Sequence, residues 1–191
     1  VRTLPDALAA LEAGRREGIA PALAAVVLRG GAPVHESVHG ELATPSPRPL
    51  RPDDLFDAAS LTKVVSTATL AAGLVAEGRL ALDGRVAERL PGFAAGGKED
   101  VTLRHLLAHA SGLPRWRPYH AEAAADPEAA PVFLPPAARP PLAALGRAFE
   151  RARGIVLAAV LAERLEAPPG PRAVYCDPGF IALGQLVETV L

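Results

Sequence analysis

The sequence predicts an α+β fold in which a β-hairpin of an antiparallel sheet precedes a mainly helical region. Two observations carry that expectation. The β-prone runs 22–28 and 34–40 are joined through Gly30-Gly31, which supplies the positive φ angles of a tight hairpin. From residue 54 onward, apolar residues recur instead at helical spacing between capping residues and Gly/Pro stops. The chain therefore divides into 1–41, a helix plus the hairpin, and 54–191, mainly helical. With 191 residues, half of them hydrophobic, it can bury a core and fits one domain or part of one.

Taken in order, Thr3-Leu4-Pro5-Asp6 is a capped helix start, and Leu4, Leu8 and Leu11 give a stripe ending near Gly18 that should lie on the sheet. Two strands alone are marginal in water, so more strands are expected in the intact protein. Proline-rich residues 42–53 cross to a helix over 61–75. There only Thr62, Lys63, Ser66, Thr67 and Thr69 are neither apolar nor glycine, which predicts burial. Leu80-Ala81-Leu82-Asp83-Gly84 turns into a short helix through Leu90, and 92–100 is a small polar loop with Lys98 in solvent. Thr102 caps a helix bearing Leu103, Leu106 and Leu107 that stops at Ser111-Gly112-Leu113-Pro114. A proline-rich loop holding Trp116, Tyr119 and His120 runs to Pro141, followed by two helices near 142–153 and 155–165. Ala173-Val174-Tyr175 is extended, and Asp177-Pro178 opens a last helix with aspartate at the cap. Its apolar period continues to Leu191 without a stop, which predicts a truncated chain.

Composition narrows the function. A net charge of −1 and the lack of a basic cluster give no electrostatic case for nucleic acid or anionic lipid as partner. Residues 1–18 mix charges with apolar residues, unlike a signal peptide or a membrane segment. That leaves the chain cytoplasmic as given, or exported after removal of a leader. One cysteine, Cys176, excludes an internal disulfide and reads as a small buried group. His105 and His109 stand at i, i+4, but no third ligand accompanies them, so no metal and no cofactor are assigned. His35 and His39 share a strand face as ordinary hairpin residues.

The chemistry centres on Ser60-Leu61-Thr62-Lys63. On a helix, i and i+3 are neighbours, so the Lys63 amine can reach the Ser60 hydroxyl at the helix start. A serine attacks poorly unless a positioned group takes its proton, and the partial positive charge of the helix end favours the alkoxide.

Three separated stretches together resemble the serine β-lactamase-like family of class C β-lactamases, esterases and D,D-peptidases. They are Phe56-Asp57-Ala58-Ala59-Ser60-Leu61-Thr62-Lys63, Leu106-Leu107-Ala108-His109-Ala110-Ser111-Gly112-Leu113-Pro114, and Tyr175-Cys176-Asp177-Pro178-Gly179. The resemblance implies the β-lactamase/transpeptidase-like fold, an antiparallel sheet flanked by helices with a helical region inserted. Residues 1–191 would be the N-terminal part of one such domain, with the later strands absent. It implies Ser60 as the acylated nucleophile, Lys63 as its proton partner and Tyr175 as proton carrier; which of the latter two takes the serine proton stays open. The Ser60 N–H would be one oxyanion donor. The family's later triplet would supply the other, so this chain alone is expected to be inactive. Asp177 stands where the family usually has asparagine. An ionised aspartate only accepts hydrogen bonds, which favours ester or peptide substrates over β-lactams. Asp177 would either orient substrate and Lys63 or cap the last helix. A non-catalytic relative binding a cell-wall peptide or a protein is the alternative.

Overall fold

A computed structural model describes residues 3–42 and 46–191, so residues 43–45 of the proline-rich crossing lie outside the described residues. The chain forms two units, Val1–Asp57 and Ala58–Leu191.

In the first unit the predicted hairpin is present. β1 (Ala22–Arg29) pairs antiparallel with β2 (Ala32–Leu42), from Ala22 opposite Gly40 to Arg29 opposite Ala32, with a register shift between Val27 and Leu28. Gly30 and Gly31 have φ of 58° and 82°, the left-handed pair that a two-residue turn needs to match strand twist. A short third strand, β3 (Arg48–Pro49), pairs with β2 to give the order β1-β2-β3. Two residues carry no alternation to announce a strand, and proline is tolerated at a sheet edge. Helix α1 (Leu4–Arg16) begins with a reciprocal capping box. The Thr3 N–H donates to Asp6 Oδ2 at 2.8 Å, and the Asp6 N–H returns to Thr3 Oγ1 at 3.4 Å. α1 packs against β1, and Glu12 comes within 3.7 Å of His39 on β2.

The second unit is helical. The apolar segment after Ser60 runs as a π-helix over Lys63–Ala68 and then as α2 (Thr69–Ala76). The Thr69 hydroxyl, which donates to the Val64 carbonyl five residues back at 2.8 Å, fits that wider winding. The expectation of burial is corrected here. Ala71 and Leu74 are buried, but Leu61, Val64, Val65 and Leu70 are exposed. Apolar content cannot say which faces find a neighbour; in this unit one face packs on α6 (Asp177–Val190).

α6 is the axis of the core. Its Phe180, Leu183, Leu186 and Val187 pack with Leu103 and Leu106 of α3 (Leu103–Leu107), with Val160 of α5 (Gly146–Ala162), and with Phe93. Each large aliphatic side chain so buried contributes about 1.5–3 kcal/mol. The expected short helix through Leu90 is only two 3-10 turns, Val86–Glu88 and Pro91–Ala94. The proline-rich loop contains an unpredicted helix, α4 (Tyr119–Ala125). The two helices expected near 142–153 and 155–165 are a single α5. Gly154 does not break it, because one interior glycine costs only about 1 kcal/mol against tertiary packing.

Lys98 is the sharpest correction. It is fully buried rather than solvated, and its ammonium donates to the carbonyl oxygens of Ala95, Leu161 and Glu163. Leu161 belongs to the last turn of α5 and Glu163 follows it, where carbonyls lack helical partners and the helix dipole favours a cation. Lys98 thus ties the 92–100 loop to the end of α5. Gly112 shows a related constraint: its φ is 79°, and a Cβ there would stand 2.0 Å from the Ala167 carbonyl oxygen.

Among the described residues, no helix is long and apolar enough to cross a membrane.

Candidate active site

Ser60 sits where the chain enters the first helical turn, with the Lys63 N–H donating to the Ser60 carbonyl at 3.1 Å. The preceding Ala59 has φ of 43°, a left-handed conformation that costs a residue with a β-carbon of order 1–3 kcal/mol and bends the chain at the serine. Although the helix continues as a π-helix, the i, i+3 relation holds: Lys63 Nζ lies 3.3 Å from Ser60 Oγ.

Lys63 is mostly buried and ion-paired to Asp177, Nζ to Oδ1 at 2.7 Å. Its ammonium is also 5.0 Å from the centre of the Tyr175 ring. Burial alone would push the Lys63 pKa down, but hydrogen bonds to Asp177 and to Tyr175 outweigh it and hold the amine above its usual value. The Tyr175 phenol moves the other way. Hydrogen bonding to Lys63, then to Ser60, stabilises the phenolate and draws its pKa below the ordinary tyrosine value. The site therefore brings to one serine a lysine whose charged form is favoured and a tyrosine whose anion is stabilised relative to an ordinary phenol.

Asp177 is free for this pairing because it is not the helix cap. Cys176 is, its Sγ accepting from the Gly179 N–H at 3.2 Å. The expectation of an aspartate cap is corrected by one residue. Asp177 occupies the first helical position, where an anion still suits the dipole while its carboxylate turns to Lys63. Cys176 is buried, and burial pushes its thiol pKa up, away from thiolate chemistry.

Sequence reasoning missed the support beneath Tyr175. His109, just past α3, has φ of 55°, so it does not share a helix face with His105. His105 instead completes the α3 cap through its Nδ1, which accepts from the Thr102 N–H at 3.2 Å. The His109 ring lies between Tyr175 and Phe180, with centroids at 4.6 and 4.9 Å, and its Nδ1 accepts the Cys176 N–H at 3.0 Å. Burial, then the Lys63 charge, holds this imidazole below its usual pKa, which suits an acceptor. The motif 106–114 contained that histidine, but no sequence pattern reports a ring stacked across 66 residues.

Ser60, Lys63, Trp116, Arg117, Asp177 and Phe180 line an open cleft of about 510 Å³. Trp116, half exposed, and Tyr119, largely buried with its hydroxyl donating to Glu163 at 3.0 Å, both belong to this wall. No group of three or more His, Cys, Asp or Glu side chains placed to hold a metal occurs among the described residues.

Comparisons with known proteins agree on one family. A family model described as Beta-lactamase matches residues 8–191. A putative D-alanyl-D-alanine carboxypeptidase of Escherichia coli is 31% identical over 142 residues, which cover 71% of this chain and 28% of that protein. Esterase EstB of Burkholderia gladioli is 43% identical over 97 residues, 48% of this chain and 24% of the esterase. Among solved structures, a putative beta-lactamase from Bacteroides dorei superimposes with a TM-score of 0.63 at 18% identity, covering 100% of this chain and 47% of that one. The octameric penicillin-binding protein homologue from Pyrococcus abyssi gives 0.65 at 23%, covering 99% and 39%. These two likenesses establish the fold, and the chain spans less than half of each of the four proteins.

Proposed function

Because the chain belongs to the beta-lactamase family, we propose that it carries the nucleophile region of a serine hydrolase that cleaves esters or amides through an acyl-enzyme at Ser60. The observation that carries this is the contact of Lys63 with both Ser60 and Asp177, at 3.3 and 2.7 Å, beside a phenol of lowered pKa. Tyr175 acts as the base. Its phenolate takes the Ser60 proton as Oγ bonds to the substrate carbonyl carbon, giving a tetrahedral oxyanion. Collapse breaks the bond to the leaving group, which receives that proton from Tyr175 and departs as alcohol or amine. A water then gives a proton to Tyr175 and attacks the acyl carbon; Ser60 leaves with the proton returned, releasing the acid. Lys63 stays charged throughout, held by Asp177, and holds the phenolate by its field.

Ester or peptide substrates rank ahead of β-lactams. Asp177 offers only acceptor oxygens, and one of them is engaged by Lys63, so it cannot donate to a substrate amide carbonyl. The relatives named as an esterase and a carboxypeptidase are consistent with that order. Since the matches span only 28% and 24% of those relatives, residues 1–191 by themselves are proposed to be inactive.

The test compares turnover of p-nitrophenyl butyrate and nitrocefin by the protein from its complete gene and by Ser60→Ala. Butyrate turnover that exceeds nitrocefin turnover and vanishes in Ser60→Ala is expected. Turnover of neither, with no labelling by an acylating probe, would favour a non-catalytic relative that binds a cell-wall peptide or protein.

A further inference from the structure

A second groove, of about 360 Å³, runs between α5 and α6, and it has no part in the chemistry just described. Phe149, Val156, Leu157, Phe180, Ile181 and Gly184 form its apolar lining. Val156, Phe180 and Ile181 also line the cleft at Ser60, so the two spaces meet at one shared apolar wall. The far end is polar: Arg153 donates to Gln185 Oε1 at 2.8 Å and is ion-paired with Glu188. From Asp177, at the nucleophile, to Gln185 the helix advances about 12 Å, at about 1.5 Å per residue. The floor is low at Gly184, where an added Cβ would meet nothing within 4 Å although the residue lies in a regular helix.

We propose that this groove binds the acyl chain of the substrate, and that its length selects medium-chain esters of the octanoyl class. The inference rests on Ser60 being the acylated residue. With the acyl carbonyl at Ser60, a linear saturated chain passes Phe180 and Ile181 and lies over Gly184. The side chains of Val156, Phe180 and Ile181 along that path are apolar, and removal of each methylene from water favours binding. A much longer chain reaches Arg153 and Glu188, where it would have to strip water from a half-exposed ion pair.

The experiment measures kcat/KM for p-nitrophenyl butyrate, octanoate and palmitate with the protein from its complete gene and with Gly184→Leu. Leucine is a better helix former than glycine and meets open space, so the variant is expected to fold. Circular dichroism melting checks that it does. The expected octanoate/butyrate ratio is about twentyfold or more, from four added methylenes that are partly buried. Palmitate falls below octanoate, and Gly184→Leu cuts the octanoate/butyrate ratio about tenfold. Phe149→Ala, at a half-exposed position of the same wall, lowers the ratio in the same direction if the leucine variant fails to fold. Butyrate turnover with no preference for octanoate, or a ratio that neither variant moves, overturns the groove while leaving the hydrolase intact. No turnover of any ester, with no labelling of Ser60, overturns both.

Discussion

Replacing Lys98 by methionine tests whether a buried ammonium anchors the end of α5. Methionine matches the length and removes the charge, leaving the carbonyls of Ala95, Leu161 and Glu163 in place without that donor. A buried acceptor left unsatisfied costs about 1–3 kcal/mol, and three carbonyls set an upper range well above what is realised. Two effects reduce it. Carbonyls keep a second lone pair for other partners, and methionine no longer requires a charge to be held out of water, a penalty shown by burial pulling the Lys98 pKa down. The net loss is about 2–4 kcal/mol, or roughly 5–15 °C in Tm for a domain of this size. Differential scanning calorimetry reads it directly. There is a functional companion effect, because the Glu163 side chain accepts from Tyr119 and lies 3.7 Å from Arg117, and both residues line the cleft. KM should rise while kcat changes little. A Lys98→Met protein melting within 2 °C of wild type, a margin far inside the roughly 5–15 °C expected, would refute the anchoring role.

Other outcomes follow from the same geometry. Tyr175→Phe removes the hydroxyl and keeps the ring on His109, so stability should hold within about 0.5 kcal/mol while kcat/KM falls about 10²–10⁴-fold, the usual contribution of a positioned base. With Tyr175 as base, kcat/KM rises with pH along a limb centred below the ordinary phenol value, since Lys63 favours the anion. Lys63→Met withdraws that cation, so any residual activity should titrate at higher pH. Gly112→Ala forces a Cβ against the Ala167 carbonyl at a left-handed φ, and a loss of at least about 2 kcal/mol should appear in urea unfolding. Glu12, beside Arg15, and Asp54, bonded to Arg48 and the Arg51 N–H, both have pKa values lowered to about 2. Carboxylates depressed on folding stabilise above their unfolded values near 4 and lose that contribution as pH falls to about 2. Acid unfolding followed by circular dichroism should steepen in that window, and Arg48→Met should flatten the part due to Asp54.

What the sequence announced and what it hid have physical reasons. The hairpin was legible because Gly30-Gly31, set between two β-prone runs, tolerates the left-handed φ pair that a two-residue turn requires, and α1 because Thr3 and Asp6 mark its start within four residues. Ser60 and Lys63 were legible as neighbours because i, i+3 proximity survives even the change to a π-helix. Lys98 was not: its acceptors lie three, 63 and 65 residues away, and a polar loop looks alike whether or not a helix end closes over it. The shift of the cap from Asp177 to Cys176 hid for a subtler reason. Both residues can accept from the first turn, and the partner that occupies Asp177 instead, Lys63, lies 114 residues away in sequence. The groove beside α6 depends on what Gly184 lacks, and a glycine inside a helical pattern looks like a weak point rather than a floor.

A covalent acyl-enzyme on Ser60 can be trapped during turnover. The protein from its complete gene would be quenched in acid during p-nitrophenyl butyrate turnover, and its peptides mapped by mass spectrometry. A butyryl adduct on the peptide containing Ser60, present early in turnover and missing from Ser60→Ala, is the predicted result. Turnover with no adduct on that peptide, or turnover that persists in Ser60→Ala, would rule out Ser60 as the nucleophile.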